Sequence, residues 1–175
     1  MKVIVETDRL QLREIEEDDV DSLFALDSDP DVMRYVSDGK PRTRIDIEHA
    51  IPRVRAYYKE HPGFGIWLAE RKDTGKFIGW ACLKHLDNTE MIEVGYRLMK
   101  DAWNHGYATE SAKSLIRFGL EERGLSRIVA VTHPRNMASQ RVLEKCGLER
   151  NGAGTYYGNH CFFFELSVGQ ATRGR

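Results

Sequence analysis

Residues 9–15, Arg-Leu-Gln-Leu-Arg-Glu-Ile, alternate polar and apolar positions with a period of two, the pattern of a half-buried strand. Asp18 and Asp19 then stand where helix caps belong, ahead of apolar Val20, Leu23, Phe24 and Leu26. Pro30 opens a second short helical piece that reaches Tyr35, and residues 37–41 read as a loop. Ile47, Ala50, Ile51, Val54, Tyr57 and Tyr58 recur at helical spacing. Pro52 falls inside that pattern, so this helix is either kinked or starts later than the pattern suggests. His61-Pro62-Gly63 ends it.

Two β-rich runs follow, 64–70 and 77–83, joined by the turn Lys72-Asp73-Thr74-Gly75, and together they predict an antiparallel hairpin. Residues 91–98 predict another strand. Residues 109–122 predict a helix with Ala112, Leu115, Ile116 and Gly119 on one stripe and Gly124 as its stop. Residues 128–132 form a short apolar strand, and Asn136 caps a helix that ends at Gly147. Tyr156-Tyr157 and 161–168 flank Gly158-Asn159 as a last hairpin. The order predicts an α/β (α+β) fold, with helices covering a mainly antiparallel sheet. Neither a repeat nor a linker interrupts it, so one domain is expected over 1–168. Residues 169–175 are polar and without period, and are expected to fray.

Composition narrows the function classes. The chain has 175 residues, enough for one substantial core. Lys plus Arg number 26 against 27 for Asp plus Glu, so no net field draws it to nucleic acid or anionic lipid. No apolar run approaches the about 20 residues that span a bilayer, and residues 1–9 hold no signal-peptide core. Cys82, Cys146 and Cys161 are odd in number and lack zinc-ligand spacing. A metal site is not expected; buried, reduced thiols in a cytoplasmic protein are.

Two stretches carry chemistry. In the first, strand 92–98 runs through Trp103-Asn104-His105-Gly106-Tyr107-Ala108-Thr109-Glu110 into a helix. A helix start presents unpaired N–H groups and about half a positive charge. Gly106 and Ala108 would let an anion, most naturally a phosphate, approach that backbone. Alternatively, Gly106 serves only the turn and Ala108 only helix packing. No Gly-Lys-Ser/Thr follows, and only one glycine of a dinucleotide fingerprint is present. In the second stretch, 131–147, Ser139, Val142, Leu143 and Cys146 share one helix face, with Asn136 at its top. Asn136 and Ser139 either cap and back-bond the helix or point into a ligand groove.

The pair of stretches resembles motifs A and B of the Gcn5-related N-acetyltransferase (GNAT) superfamily. The loop Trp103-x-x-Gly106-x-Ala108 matches the first, with Trp103 in place of the usual Gln or Arg. His133-Pro134, Asn136, Ala138-Ser139, Val142-Leu143, Lys145 and Gly147 resemble the second motif of the ribosomal-protein (RimJ/RimL) branch. Residues 6–13 and 29–35 resemble the same branch. The resemblance implies the GNAT fold, with a splayed parallel strand pair and helices on both faces. It implies acetyl-CoA as co-substrate, its pyrophosphate on Asn104, His105, Gly106, Tyr107, Ala108 and Thr109. The pantetheine arm would run along Tyr96, Arg97 and Leu98, lined by Asn136 and Ser139. His160-Cys161 stands where the branch often has an acidic residue. The resemblance leaves monomer and homodimer both open.

Acetylating an amine requires a neutral nitrogen, a stabilised oxyanion and a thiolate that can leave. Glu93 is the candidate base: it lies inside a strand, flanked by apolar residues, with Gly95 and Arg97 on its face. Burial would raise its pKa into a useful range, unless it pairs with Arg97 or faces water. His160 is the other base candidate, and His105 is expected nearer the phosphates. Ser139 is the candidate acid, with Tyr156 or Tyr157 competing, and an N–H near Leu98 the oxyanion donor. Asp27, Asp29, Asp31 and Asp38 either guide a cationic or neutral amine or serve as solvated caps. The acceptor would be a protein N-terminal α-amine, or a small amine such as an aminoglycoside, polyamine or amino acid. The remaining possibility is a CoA-binding module without catalysis.

Overall fold

The computed structural model describes residues 1–171. Eight strands, β1 (Val3–Glu6), β2 (Leu10–Glu14), β3 (Gly65–Arg71), β4 (Phe77–His85), β5 (Ile92–Leu98), β6 (Arg127–Thr132), β7 (Glu149–Tyr156) and β8 (Asn159–Ser167), form one sheet. Their spatial order is β1-β2-β3-β4-β5-β6-β8-β7. Every neighbouring pair is antiparallel except β5 and β6. Those two are parallel because the helix α4 (Tyr107–Arg117) carries the chain between them as a crossover. Their ladder consists of one pairing, Glu93 with Val129.

The faces of the sheet differ. On one, Ala112, Leu115 and Ile116 of α4 pack with Ile92, Val94 and Leu98 of β5 and with Leu143 of α5 (Met137–Lys145). On the other lie α1 (Val20–Asp27), α2 (Pro30–Met33) and α3 (Arg44–Glu60). There Leu23, Ile47 and Ile51 close over Ile15 and Leu68. The expected architecture, a mixed sheet with a splayed parallel pair and helices on both faces, is present. No helix among the described residues is long and apolar enough to cross a membrane.

Several boundaries differ from the sequence reading for identifiable reasons. β1 was not expected; it is a short edge strand with no buried position, so it carries no hydrophobic alternation. α3 runs through Pro52 and begins at Arg44, three residues before its apolar pattern, because Thr43 and Asp46 form a capping box there. α4 begins at Tyr107, capped by Gly106, and gives way to a π-type turn at Phe118–Glu122. Asp19 does not cap α1 with its side chain. Its carboxylate instead takes both Arg13 Nη groups at 2.7 Å. Arg13 also reaches Glu70 at 2.8 Å, so three charges close one buried network. The chain continues from β8 into a helical turn, α6 (Val168–Ala171), where fraying was expected. The rest of that expectation, 172–175, lies outside the described residues.

Candidate active site at the fork between β5 and β6

Beyond the Glu93–Val129 pairing the two strands part. Met99 N–H donates to Ile78 O on the β4 side at 2.9 Å. Alternation along an antiparallel pair then turns the N–H and C=O groups of Leu98 and Tyr96 to the opposite edge, into the fork. The Leu98 carbonyl there accepts the Trp103 indole N–H at 2.9 Å. Trp103 thus covers the outer end of the fork, a role the sequence did not indicate. The inner end opens into a cavity of about 440 Å³, lined by Glu93, Gly95, Tyr96 and Arg97 of β5 and by Asn136 and Ser139. Leu98 is not among its lining residues. Of the two N–H groups that alternation turns into the fork, that of Tyr96 belongs to a residue lining the cavity.

Glu93 is buried, as expected, but its partner is not Arg97. Lys84 Nζ, directly opposite on β4, donates to Glu93 Oε1 at 2.6 Å. The Tyr157 hydroxyl donates to the same oxygen and takes Lys84 Nζ at 2.6 Å. No described residue donates to the other oxygen, Oε2. Burial opposes the Lys84 charge, but the Glu93 carboxylate and the hydrogen bonds to Glu93 and Tyr157 hold its pKa above the ordinary value. Burial and the Glu93 charge push the Tyr157 phenol up as well. The cluster is therefore an ion pair with a neutral phenol, not the lone desolvated carboxylate that the sequence suggested.

Asn136 is a cap: its Oδ1 accepts the Ser139 N–H at 3.2 Å. It also lines the cavity, so the two readings of this residue coexist. Ser139 does not back-bond its helix. Its Oγ lies 3.1 Å from the Tyr96 hydroxyl, which reaches across the fork from β5. Burial raises the Tyr96 pKa, so that hydroxyl stays protonated.

The 104–109 loop turns sharply into the start of α4. Asn104 and Gly106 both adopt left-handed backbone, with φ of 62° and 79°. A Cβ on Gly106 would meet nothing nearer than Arg9 Nη2 at 3.4 Å. Arg9 supports the loop: it donates to His105 O at 2.9 Å and lies over the Tyr107 ring. The Tyr107 side chain itself is core, and Ala108 packs against the core, so these two offer a ligand backbone rather than side chains. His105 stacks on Tyr107, with Nδ1 2.6 Å from Trp103 O.

Other candidates separate. Asp27 lines the cavity and accepts from Arg97 at 2.7 Å, while the Arg97 guanidinium lies over Trp80. Asp29 caps α2, Asp31 pairs with Lys100, and Asp38 pairs with Arg42, so these three act as caps and surface pairs. His160 is exposed and contacts the edge of Phe162. Tyr156 packs on Phe163, whereas Tyr157 belongs to the Glu93 cluster. All three cysteines are free and buried; desolvation pushes the Cys82 thiol up to about 12. Among the described residues, no group of three or more His, Cys, Asp or Glu could hold a metal ion.

A family model described as an acetyltransferase (GNAT) domain matches residues 9–149. The chain belongs to the GNAT acetyltransferase family. It is 35% identical over 153 residues to the uncharacterized N-acetyltransferase YoaA of Bacillus subtilis, covering 85% of this chain and 84% of that one. It is 33% identical over 150 residues to the FsC-acetyl coenzyme A-N(2)-transacetylase of Aspergillus fumigatus, covering 81% of this chain and 63% of that protein. A solved structure of RimL, a ribosomal L7/L12 α-N-protein acetyltransferase in complex with coenzyme A, superposes with a TM-score of 0.79. The identity is 14%, over 95% of this chain and 98% of that one, a likeness of fold.

In this GNAT acyltransferase, sequence reasoning missed two partners of Glu93. Lys84 and Tyr157 were not assigned to Glu93. A register argument finds the first: pairing β4 with β5 across 86–91 places Lys84 opposite Glu93. Nothing local marks Tyr157, which reaches Glu93 only because β8 pairs with β6.

Proposed function

We propose that this GNAT acyltransferase moves the acetyl group of acetyl-CoA to a primary amine by direct attack in a ternary complex. One observation carries the reading. Tyr96, whose N–H the strand alternation turns into the fork, lines a single cavity with Ser139 and Glu93. The amides of 104–109 would hold the pyrophosphate, and the β5 edge, through the Leu98 N–H and the Tyr96 carbonyl, would pair with the pantetheine arm. Asn136 and Ser139 would flank the thioester.

The amine nitrogen attacks the thioester carbonyl carbon, and the Tyr96 N–H stabilises the oxyanion. The C–S bond breaks and the acetyl group stays on nitrogen. Glu93, through Oε2 and water, takes the proton that the ammonium sheds. As the tetrahedral intermediate collapses, the nitrogen sheds its second proton through water to the departing thiolate, which Ser139 hydrogen-bonds and which leaves as free CoA. Lys84, held as a cation beside the site, disfavours an ammonium there and favours the neutral amine.

The RimJ/RimL-like motifs at 6–13 and 133–147 support a protein or peptide α-amine among the acceptors, and the free, buried cysteines fit a reducing cytoplasm. Thiol release from acetyl-CoA, measured against a panel of amines, tests the reading. Amine-dependent release with a stoichiometric N-acetyl product is expected. CoA binding without release from any amine would overturn it in favour of a CoA-binding module.

A further inference from the structure

We infer that the acceptor is a monoamine, free or at a peptide N-terminus, bearing an apolar group about the size of a leucine or phenylalanine side chain, and that polycationic amines are excluded. This rests on the transferase reading above and names the substrate class of the same site.

The roof of the cavity is apolar. Leu23 of α1, Met33 of α2, and Ile47 and Ile51 of α3 line it, with Ile66 and Trp80 from the sheet below. None of the four helical residues is more than 7% exposed. Their side chains carry no hydrogen-bonding group, so what this wall recognises is apolar surface.

The charges around the cavity point the same way. Its two lining carboxylates are both engaged: Asp27 by Arg97 at 2.7 Å and Glu93 by Lys84 at 2.6 Å. Arg42 also lines it and pairs with Asp38 at 2.9 Å. Each of the three cations thus has its own carboxylate, and no lining carboxylate is without a cation. A polyamine or aminoglycoside would bring a second and third ammonium into this space. Those groups would lose their water without gaining an unpaired anion, which is costly. A monoamine loses its only charge when it gives up one proton before attack, and its apolar group is then what remains to be accommodated. The volume sets the size. About 440 Å³ beside the thioester end accommodates one such side chain, with the rest of a larger acceptor outside it.

The same chemistry can come from a free amine or from the first residue of a peptide. The test therefore compares phenethylamine, phenylalaninamide and a peptide beginning with Phe against glycinamide, spermidine and kanamycin, all by thiol release with the intact chain. The apolar amines should exceed glycinamide by about 10- to 100-fold in kcat/KM, the effect of burying one such side chain. Release with the free amines alone, or with the peptide too, tells the two sources apart, and both support the class. Ile47→Ala should lower the ratio of phenylalaninamide to glycinamide severalfold. Ile47→Val, with melting temperature measured beside it, covers the case in which the larger truncation unfolds the chain. Preference for spermidine, kanamycin or glycinamide would overturn the inference. If no amine gives release, melting of the CoA-loaded protein decides. Stabilisation by phenethylamine and not by spermidine would retain the acceptor class and reject catalysis; no such difference would reject both.

Discussion

Tyr96 Oη and Ser139 Oγ lie 3.1 Å apart, and that contact joins the two arms of the fork. Tyr96 belongs to β5 and Ser139 to the first turn of the helix after β6. The strands have no pairing of their own beyond Glu93 and Val129, so side chains set the width of the opening here. The Tyr96 hydroxyl also contacts Ser139 O at 3.2 Å, which fixes the phenol between backbone and side chain.

Ser139→Ala should therefore leave CoA affinity within about twofold and lower kcat by about tenfold or more, because it removes a contact made mainly in the transition state. Tyr96→Phe should have the smaller kinetic effect, since Ser139 keeps its hydroxyl. Steady-state kinetics and calorimetric titration of CoA on both variants check this. Full kcat in Ser139→Ala would remove Ser139 from the chemistry.

Glu93→Gln should reduce kcat/KM by ~10²-fold, the usual scale for a lost general base. The acceptor amine sets the pH dependence. An alkylamine with a pKa near that of lysine, about 10.4, is almost wholly protonated at neutral pH. Free amine accumulates as pH rises, so the variant's deficit should shrink between pH 6 and 9. Tyr157→Phe, which leaves the carboxylate paired with Lys84, should cost less. A wild-type rate for Glu93→Gln across that range, with unchanged melting temperature, would place the proton elsewhere.

The cofactor loop needs a substitution that respects its backbone. Gly106→Val would confound two effects, because a φ of 79° strains a β-branched residue whatever binds nearby. Asn tolerates the left-handed region, and the space beyond Gly106 admits a side chain. Gly106→Asn should melt near the parent temperature and bind CoA about tenfold more weakly, ~1.4 kcal/mol. Unchanged CoA affinity in that folded variant would remove the loop from the binding site.

What the sequence showed, and what it hid, follows from the range of each interaction. Ile92, Val94, Tyr96 and Leu98 alternate with Glu93, Gly95 and Arg97, so the strand and its polar face were legible. Asn136 as a cap and Ser139 on the face of Leu143 came from helical spacing alone. The Lys84–Glu93 pair depends on cross-strand register, and Tyr157 on a hairpin that returns beside β6 from the end of the chain. The Asp27–Arg97 pair joins residues 70 positions apart. Such contacts leave no local period. Hydrophobic alternation likewise cannot reveal β1, an edge strand with no buried side chain.

Stability should carry an acid-sensitive component from the buried network of Arg13, Asp19 and Glu70. Arg13 is only 8% exposed and Asp19 9%. Burial opposes ionisation of Asp19, but the Arg13 hydrogen bonds and the Glu16 N–H outweigh it and hold the carboxyl below its usual range. A carboxyl that releases its proton more readily when folded stabilises the fold while it is ionised. That contribution is complete above its unfolded pKa, about 3.9, and is lost as pH falls through the lower folded value. Arg13→Met would strand the buried Asp19 carboxylate and leave Glu70 with Gln11 alone, and should destabilise by about 3–5 kcal/mol at pH 7. Asp19→Asn leaves Arg13 with Glu70 and should cost less. Its deficit should narrow as pH drops from 5 toward 2.5, where the parent's own Asp19 takes up a proton. Urea unfolding of parent and variant at several pH values measures that difference. A deficit that stays constant over this range would mean that Asp19 acts through packing and not through its charge.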